Sequence, residues 1–534
     1  MHYILLQYLL LLFAVVMLIM LAQKLKIAYP IFLVVAGLLI SNIPHIPVIS
    51  IDPDLIFLIF LPPLLFEAAW YTSWNDLWKW RRPIGLLSVG LVIFTSGIIA
   101  FLSVRVIPGF TLPMGFLLGA IISPPDAIAA TSVLKNIKVP KNITAILEGE
   151  SLINDASSLI IFRFALAAVL TGQFSFHEAI SAFFIATIMG IAVGLAVAYF
   201  MYFIHRHLPT TSNIDAVFTL LAPYFMYLAA EQFHFSGVMA VVSGGLFLSY
   251  RSHEIFLNGQ TRLQVVSVWS TLIVIMNGLI FIMIGLELPE IMKGMERYSL
   301  PQAIRYSMLI SLVIILVRLI WIYPATFLSR WVSKRTDKAE PDLGWKGSLI
   351  IGWSGMRGVV SLAAALSLPM LIRGGAFFPH RDLIIFISFV VILVTLVFQG
   401  LTLPFVIRWV KIRDTEPAEK EDQQQVDIQL RLIKAASEKL HEKYAEEING
   451  NELLRGYKTE LEHRMAYVSE HLRCTTCGVS GRQEIEQYNK VLKSIYQYQR
   501  KELFRFKREG IFNDELIRKE EKQIDLNEAK VLER

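Results

Sequence analysis

The chain has 534 residues, is 55% hydrophobic and carries a formal net charge of +6, with a mean hydropathy of +0.54. The apolar residues concentrate in residues 1–410, in runs of about 20, the length that crosses roughly 30 Å of hydrocarbon. Residues 411–534 are dense in Glu, Lys, Arg and Gln, so the organisation expected is one membrane domain and one charged tail.

Only two cysteines occur, both in the tail, which excludes a disulfide framework. The positive charge sits mainly between apolar runs, where topology accounts for it better than nucleic-acid binding. No Gly-Lys-Ser/Thr phosphate loop is present to drive an ATP-powered pump.

In chain order, 13 hydrophobic segments fall near 3–21, 29–43, 55–70, 84–106, 112–134, 143–170, 179–204, 214–231, 235–250, 268–288, 303–329, 347–370 and 383–408. The first reads as a span and not a signal peptide: no Lys or Arg precedes it, and Lys24 and Lys26 follow it. Alternate loops hold about 18 basic residues on one side, among them Lys79, Lys135, Arg251 and Lys411, against about 5 on the other. That excess places the first set in the cytoplasm, the N-terminus outside and the tail inside, as in a multi-pass bacterial inner-membrane protein.

Two runs are interrupted. The fifth contains Ser123-Pro124-Pro125-Asp126, whose prolines remove backbone donors and clash with the preceding turn. The twelfth contains Gly352-Trp353-Ser354-Gly355-Met356-Arg357-Gly358. Unwound backbone at membrane depth is tolerated only where it lines protein or water. The two lie seven spans apart, an odd offset, so they run in opposite directions. Matched broken helices of opposite direction mark inverted-repeat transporters, with the site where they cross. The plainer reading is two kinks in packed helices.

Ionisable residues inside spans are costly and point to function. In the sixth run Glu150, Asn154 and Ser158 recur at spacing four, as do Ser151 and Asp155, making an inward polar stripe. Carboxylate, hydroxyl and amide oxygens suit a hard cation, and no His or Cys is near in sequence to favour a transition metal. Asp126 supplies a second carboxylate. Burial favours the protonated form of a carboxyl and a neighbouring cation opposes it, so proton and cation can compete for one site at Asp155. Glu67, in Pro62-Pro63-Leu64-Leu65-Phe66-Glu67, either lines the ion path or ends its span. Glu150 and Arg357 are expected to pair, since each alone would be costly. Arg318 is a further buried cation with no partner readable from sequence. Arg163, two turns past Asp155, is expected to reach the outer interface, where Glu231 also lies.

Gly149-Glu150-Ser151-Leu152-Ile153-Asn154-Asp155-Ala156 resembles the signature of the NhaP-type branch of sodium/proton antiporters. The stretches 62–67, 123–127 and 355–359 fit the same pattern, in order. The resemblance covers about residues 1–410. It implies 13 helices, two inverted six-helix repeats with crossing discontinuous helices, a core domain moving against a dimerisation domain, and a homodimer in lipid. It also implies Asp155 as ion-binding aspartate, Ser151 and Asp126 as its partners, and Glu150 with Arg357 as the interior ion pair. Asn154 stands where electrogenic relatives carry a second aspartate, which implies electroneutral exchange of sodium, and also lithium, for protons, with no cofactor. Pro125 departs from the pattern: relatives commonly carry Thr there, so that ligand is missing or replaced by a backbone carbonyl.

Potassium/proton exchange is the competing reading, followed by a cation channel. An intramembrane protease using Asp126 and Asp155 leaves the Asn-Asp setting and the Glu/Arg pair without a role. The tail reads as helices over 426–448 and 484–506. His471 with Cys474 and Cys477 forms half a zinc site that His463 would complete, or a redox pair.

Overall fold

The computed structural model describes residues 2–528 except 42, 44–52, 135–136, 138, 173–175, 257, 296–297, 336–343, 373–376, 412–417, 475–479, 510–516, 518–519 and 521–522. The described residues form two compact units, 1–413 and 414–534.

The first unit is a helical bundle. Its chain order is α1 (His2–Leu25), α2 (Tyr29–Ser41), α3 (Pro53–Tyr71), α4 (Arg81–Val106), α5 (Leu112–Ile122), α6 (Ala127–Leu134), α7 (Lys141–Thr171) and α8 (Phe176–His207). It continues with α9 (Ser212–Gln232), α10 (Gly237–Tyr250), α11 (Gly259–Leu286), α12 (Leu300–Arg335), α13 (Gly344–Trp353), α14 (Val359–Leu366) and α15 (Arg381–Val410). Among the described residues, nine stretches are long and apolar enough to cross a membrane, counting α5 and α6 as one, and α2, the 58–71 part of α3 and α10 are shorter apolar helices. Helices are forced here because hydrocarbon satisfies no backbone group. Each of the 13 apolar runs coincides with one of these helices or, at 112–134 and 347–370, with a broken pair.

Two apolar clusters hold the bundle together. The larger joins α4–α7 and α12–α15 with α1, α2 and the second half of α11. The smaller joins α3, α8, α9 and α10 with Leu152 and Ala156 of α7 and Trp269 of α11. Small residues let backbones touch where lipid gives no hydrophobic drive. Gly115 and Gly119 of α5, four apart, sit against Ala100 and Ser96 of α4, where a Cβ would come within 2.6 and 2.7 Å of their Cα atoms. Gly37 of α2 and Gly285 of α11 meet in the same way.

The second unit contains α16 (Ala418–Lys443), α17 (Glu452–Cys474) and α18 (Ser480–Glu509). Cys477 and the side chains of His471 and Cys474 lie outside the described residues, while His463 is exposed.

Candidate functional site

The prolines end α5 at Ile122, and the chain runs without helix through Ser123-Pro124-Pro125-Asp126 before α6 begins at Ala127. The second break runs from Ser354 to Gly358, between α13 and α14. The two breaks touch. The Asp126 amide donates to the Met356 carbonyl at 2.6 Å. The Asp126 carboxylate caps α6, its Oδ1 accepting from the Ile128 amide at 2.8 Å. Gly358 lies against that carboxylate so closely that any Cβ would overlap it.

Arg357 serves the breaks and not Glu150. Its Nε donates to the carbonyl of Ile122, the last residue of α5, at 3.1 Å, and its Nη1 donates to the Gly355 carbonyl. Its amide donates to Thr395 Oγ1 of α15 at 3.2 Å. A guanidinium at the C-terminal end of α5 satisfies an orphan carbonyl and complements the partial negative charge there, while its second bond ties it to the other break. The expected Glu150–Arg357 pair is therefore corrected. Glu150 is bound by Arg318 of α12, with Nη1 to Oε1 at 2.5 Å and Nη2 to Oε2 at 2.8 Å, and both side chains are 1% exposed. Arg318 also donates to the Ile351 carbonyl at the end of α13, at 3.1 Å from Nη2. Three buried charges thus join α7, α12 and the second break. The two-pronged fit suits a guanidinium, whose fork matches a carboxylate.

The polar stripe on α7 faces the first break. Asn154 Nδ2 donates to the Pro125 carbonyl at 3.0 Å, and Ser151 Oγ accepts from the Ala127 amide at 3.3 Å. The carbonyl of Pro125, which sequence offered as a replacement ligand, is thus engaged by Asn154. Asp155 is one residue further along the helix and 8% exposed.

Asp155, Asp126, Ser151 and Glu67 line one cavity of about 880 Å³. It reaches the face of the bundle that carries Lys26, Thr72 and Ser132. The structure so brings together every expected ion-site residue except Asn154, which ties down the break instead. Among the lining residues that the search for charged side chains missed are Tyr29, at the start of α2, and Asn277, in mid-α11. An amide in the run Met276-Asn277-Gly278, buried at 4% exposure, was the signal available. Toward the other end of α7, Arg163 binds both carboxylate oxygens of Glu231 at 2.6 and 2.7 Å, so its charge is matched by protein as well as by position. Among the described residues no cluster of three or more His, Cys, Asp or Glu could hold a metal.

An all-helical membrane bundle whose two broken helices meet beside paired carboxylates defines the class of discontinuous-helix transporters. The chain belongs to the family described as "Sodium/hydrogen exchanger, transmembrane", which it matches over residues 10–409. It is 35% identical over 388 residues to the "Sodium, potassium, lithium and rubidium/H(+) antiporter" of Bacillus pumilus, an alignment covering 71% of this chain and 57% of that protein. An "Uncharacterized Na(+)/H(+) exchanger" of Mycobacterium bovis is 29% identical over 529 residues, 97% of this chain and 95% of its own. The fold resembles that of the sodium proton antiporter MjNhaP1 from Methanocaldococcus jannaschii, at 21% identity and a TM-score of 0.57 over 73% of this chain and 97% of that one.

Proposed function

We propose that this chain exchanges a monovalent cation, sodium first, for protons by alternating access, with Asp155 taking either the proton or the ion. The observation that carries the reading is the convergence of Asp155, Asp126, Ser151 and Glu67 on one cavity of about 880 Å³ beside the touching breaks. Oxygen ligands with oriented helix ends suit a hard cation. Asn154 is neutral and engaged with Pro125, which supports one titrating carboxylate at that pair and electroneutral exchange. With the basic loops in the cytoplasm, the face holding Lys26 and Thr72 is the inner one, and the conformation is inward-facing. That orientation, a bacterial inner-membrane location and the homodimer belong to the same proposal.

Potassium is the second reading. It is favoured by the Bacillus pumilus relative's name, which includes potassium, and by Pro125, which has no hydroxyl to offer a dehydrated sodium ion. Dequenching of a pH-sensitive dye in everted vesicles tests both. Addition of sodium, and to a lesser extent lithium, is expected to move protons in wild type, and Asp155→Asn is expected to abolish the signal. Exchange that persists in Asp155→Asn overturns the mechanism, and a larger response to potassium than to sodium reverses the order of substrates.

A further inference from the structure

We infer that Asn277, beside Tyr29 on the wall of the cavity, is a cation-selecting ligand. The inference rests on the antiport reading above.

Several neutral oxygens beside the carboxylates already accept a hydrogen bond. Pro125 offers only its carbonyl, which accepts from Asn154 Nδ2. Ser151 Oγ accepts from the Ala127 amide, and one Asp126 oxygen accepts from Ile128. An alkali ion leaving water needs its shell replaced, and the number and field strength of the replacing oxygens decide which ion is favoured. The hydroxyls of Thr131, Ser132 and Ser361 line the cavity on the carboxylate side, and further neutral oxygens are offered from α2 and α11.

Tyr29, on α2, and Asn277, on α11, line the same cavity as Asp126, Asp155 and Glu67. The Asn277 side chain lies beside the Tyr29 hydroxyl. A tyrosine hydroxyl both donates and accepts, so the amide can give it an N–H and keep its carbonyl oxygen for the cavity. Phe281, one turn past Asn277, meets the Tyr29 ring edge-on at a centroid distance of 6.5 Å and fixes its direction. The two helices pack backbone to backbone: a Cβ on Gly37 would approach the Ile282 carbonyl, and one on Gly285 the Val34 carbonyl. The pair is thus a polar spot on two closely packed helices, in the same cavity as the carboxylates.

The bland alternative is a self-satisfied polar pair that only holds α2 against α11. The Gly37–Gly285 contact already does that, and it has no need of a cavity-lining amide.

The test uses the full chain reconstituted in vesicles, with exchange driven in turn by sodium, lithium and potassium. Asn277→Ala is expected to raise the sodium KM several-fold while the potassium KM moves little and the maximal rate is kept. Tyr29→Phe frees the amide and should shift the same ratio in the same direction, by less. Asn277→Gln, which keeps an amide, should restore part of the preference. A merely structural role moves all three KM values, or all three rates, together, and that outcome overturns the inference. An unchanged sodium-to-potassium ratio in both Asn277→Ala and Tyr29→Phe overturns it as well. Should Asn277→Ala fail to fold, Tyr29→Phe and Asn277→Gln decide by the same ratio. Failure of the underlying reading looks different: wild type then shows no cation-driven proton movement, or Asp155→Asn keeps it.

Discussion

Glu150 and Arg318 show how burial sets the worth of a single contact. At 1% exposure each, neither can turn to water if its partner is lost. Removing one partner of such a pair costs about 3–5 kcal/mol, whereas replacing both by apolar groups is often neutral. Glu150→Ala and Arg318→Ala are each expected to lower the unfolding midpoint in detergent sharply, and the double variant Glu150→Leu with Arg318→Met to recover most of it. Equal instability of single and double variants would show that the pair contributes more than mutual neutralisation. Gly358 is constrained by shape alone. Gly358→Ala is expected to insert and fold but to lose exchange, because the added methyl occupies the space of the Asp126 carboxylate. Dye dequenching beside a fluorescence-detected size-exclusion profile separates these outcomes. Sequence reading found the buried charges but mispaired them. One carboxylate and two arginines at similar depth leave the partner undecided, because depth along a span says nothing of which helices are neighbours. The carbonyls that claim Arg357 are freed only once the breaks are formed.

The breaks themselves were legible, since Pro-Pro and a Gly cluster cannot continue a helix in apolar surroundings. What holds them open was not. Asn154 reads in sequence as an ion ligand on the polar stripe; its Nδ2 donates to the Pro125 carbonyl, and its Oδ1 is buried without a hydrogen-bond partner. Loss of that bond leaves a buried acceptor unpaired, at a cost of about 1–3 kcal/mol. Asn154→Ala is therefore expected to lower thermal stability and slow exchange without changing the cation order, as measured by melting and vesicle assays. A second element-level contact lies where α8 and the 252–255 turn meet. The Glu254 carboxylate accepts from the Tyr202 hydroxyl at 2.6 Å, from Arg251 at 2.7 Å and from Arg206 at 2.9 Å. The Tyr202 hydrogen bond, then Arg251 and Arg206, hold this carboxyl below the usual carboxylate range. A depressed carboxyl stabilises the fold above its unfolded titration point and loses that contribution as pH falls through its folded one. Glu254→Gln is expected to flatten the acid limb of the melting-temperature profile and to leave the neutral region little changed. An unaltered acid limb would remove Glu254 from the account.

For the molecule as a whole, composition alone separated an apolar part from a charged one, because hydrocarbon and water select opposite residues. The described contacts divide the chain at 413 and 414. A unit with its own internal contacts tolerates loss of a separate neighbouring unit. Removal of residues 414–534 is therefore expected to leave a folded transporter that still exchanges, measured in the same vesicles. Loss of folding on truncation would show that the tail completes the membrane domain. The Mycobacterium bovis relative aligns through the tail as well, so the charged unit is shared beyond this chain.

The Arg163–Glu231 contact carries a consequence for turnover. Its side chains are 46% and 27% exposed, and ion pairs so placed contribute about 0–1 kcal/mol. A clasp that weak is undone by ordinary thermal motion. Prising apart that end of the bundle is thus limited by the packing around α7 rather than by the charges, and added salt should hardly alter how often the carrier cycles.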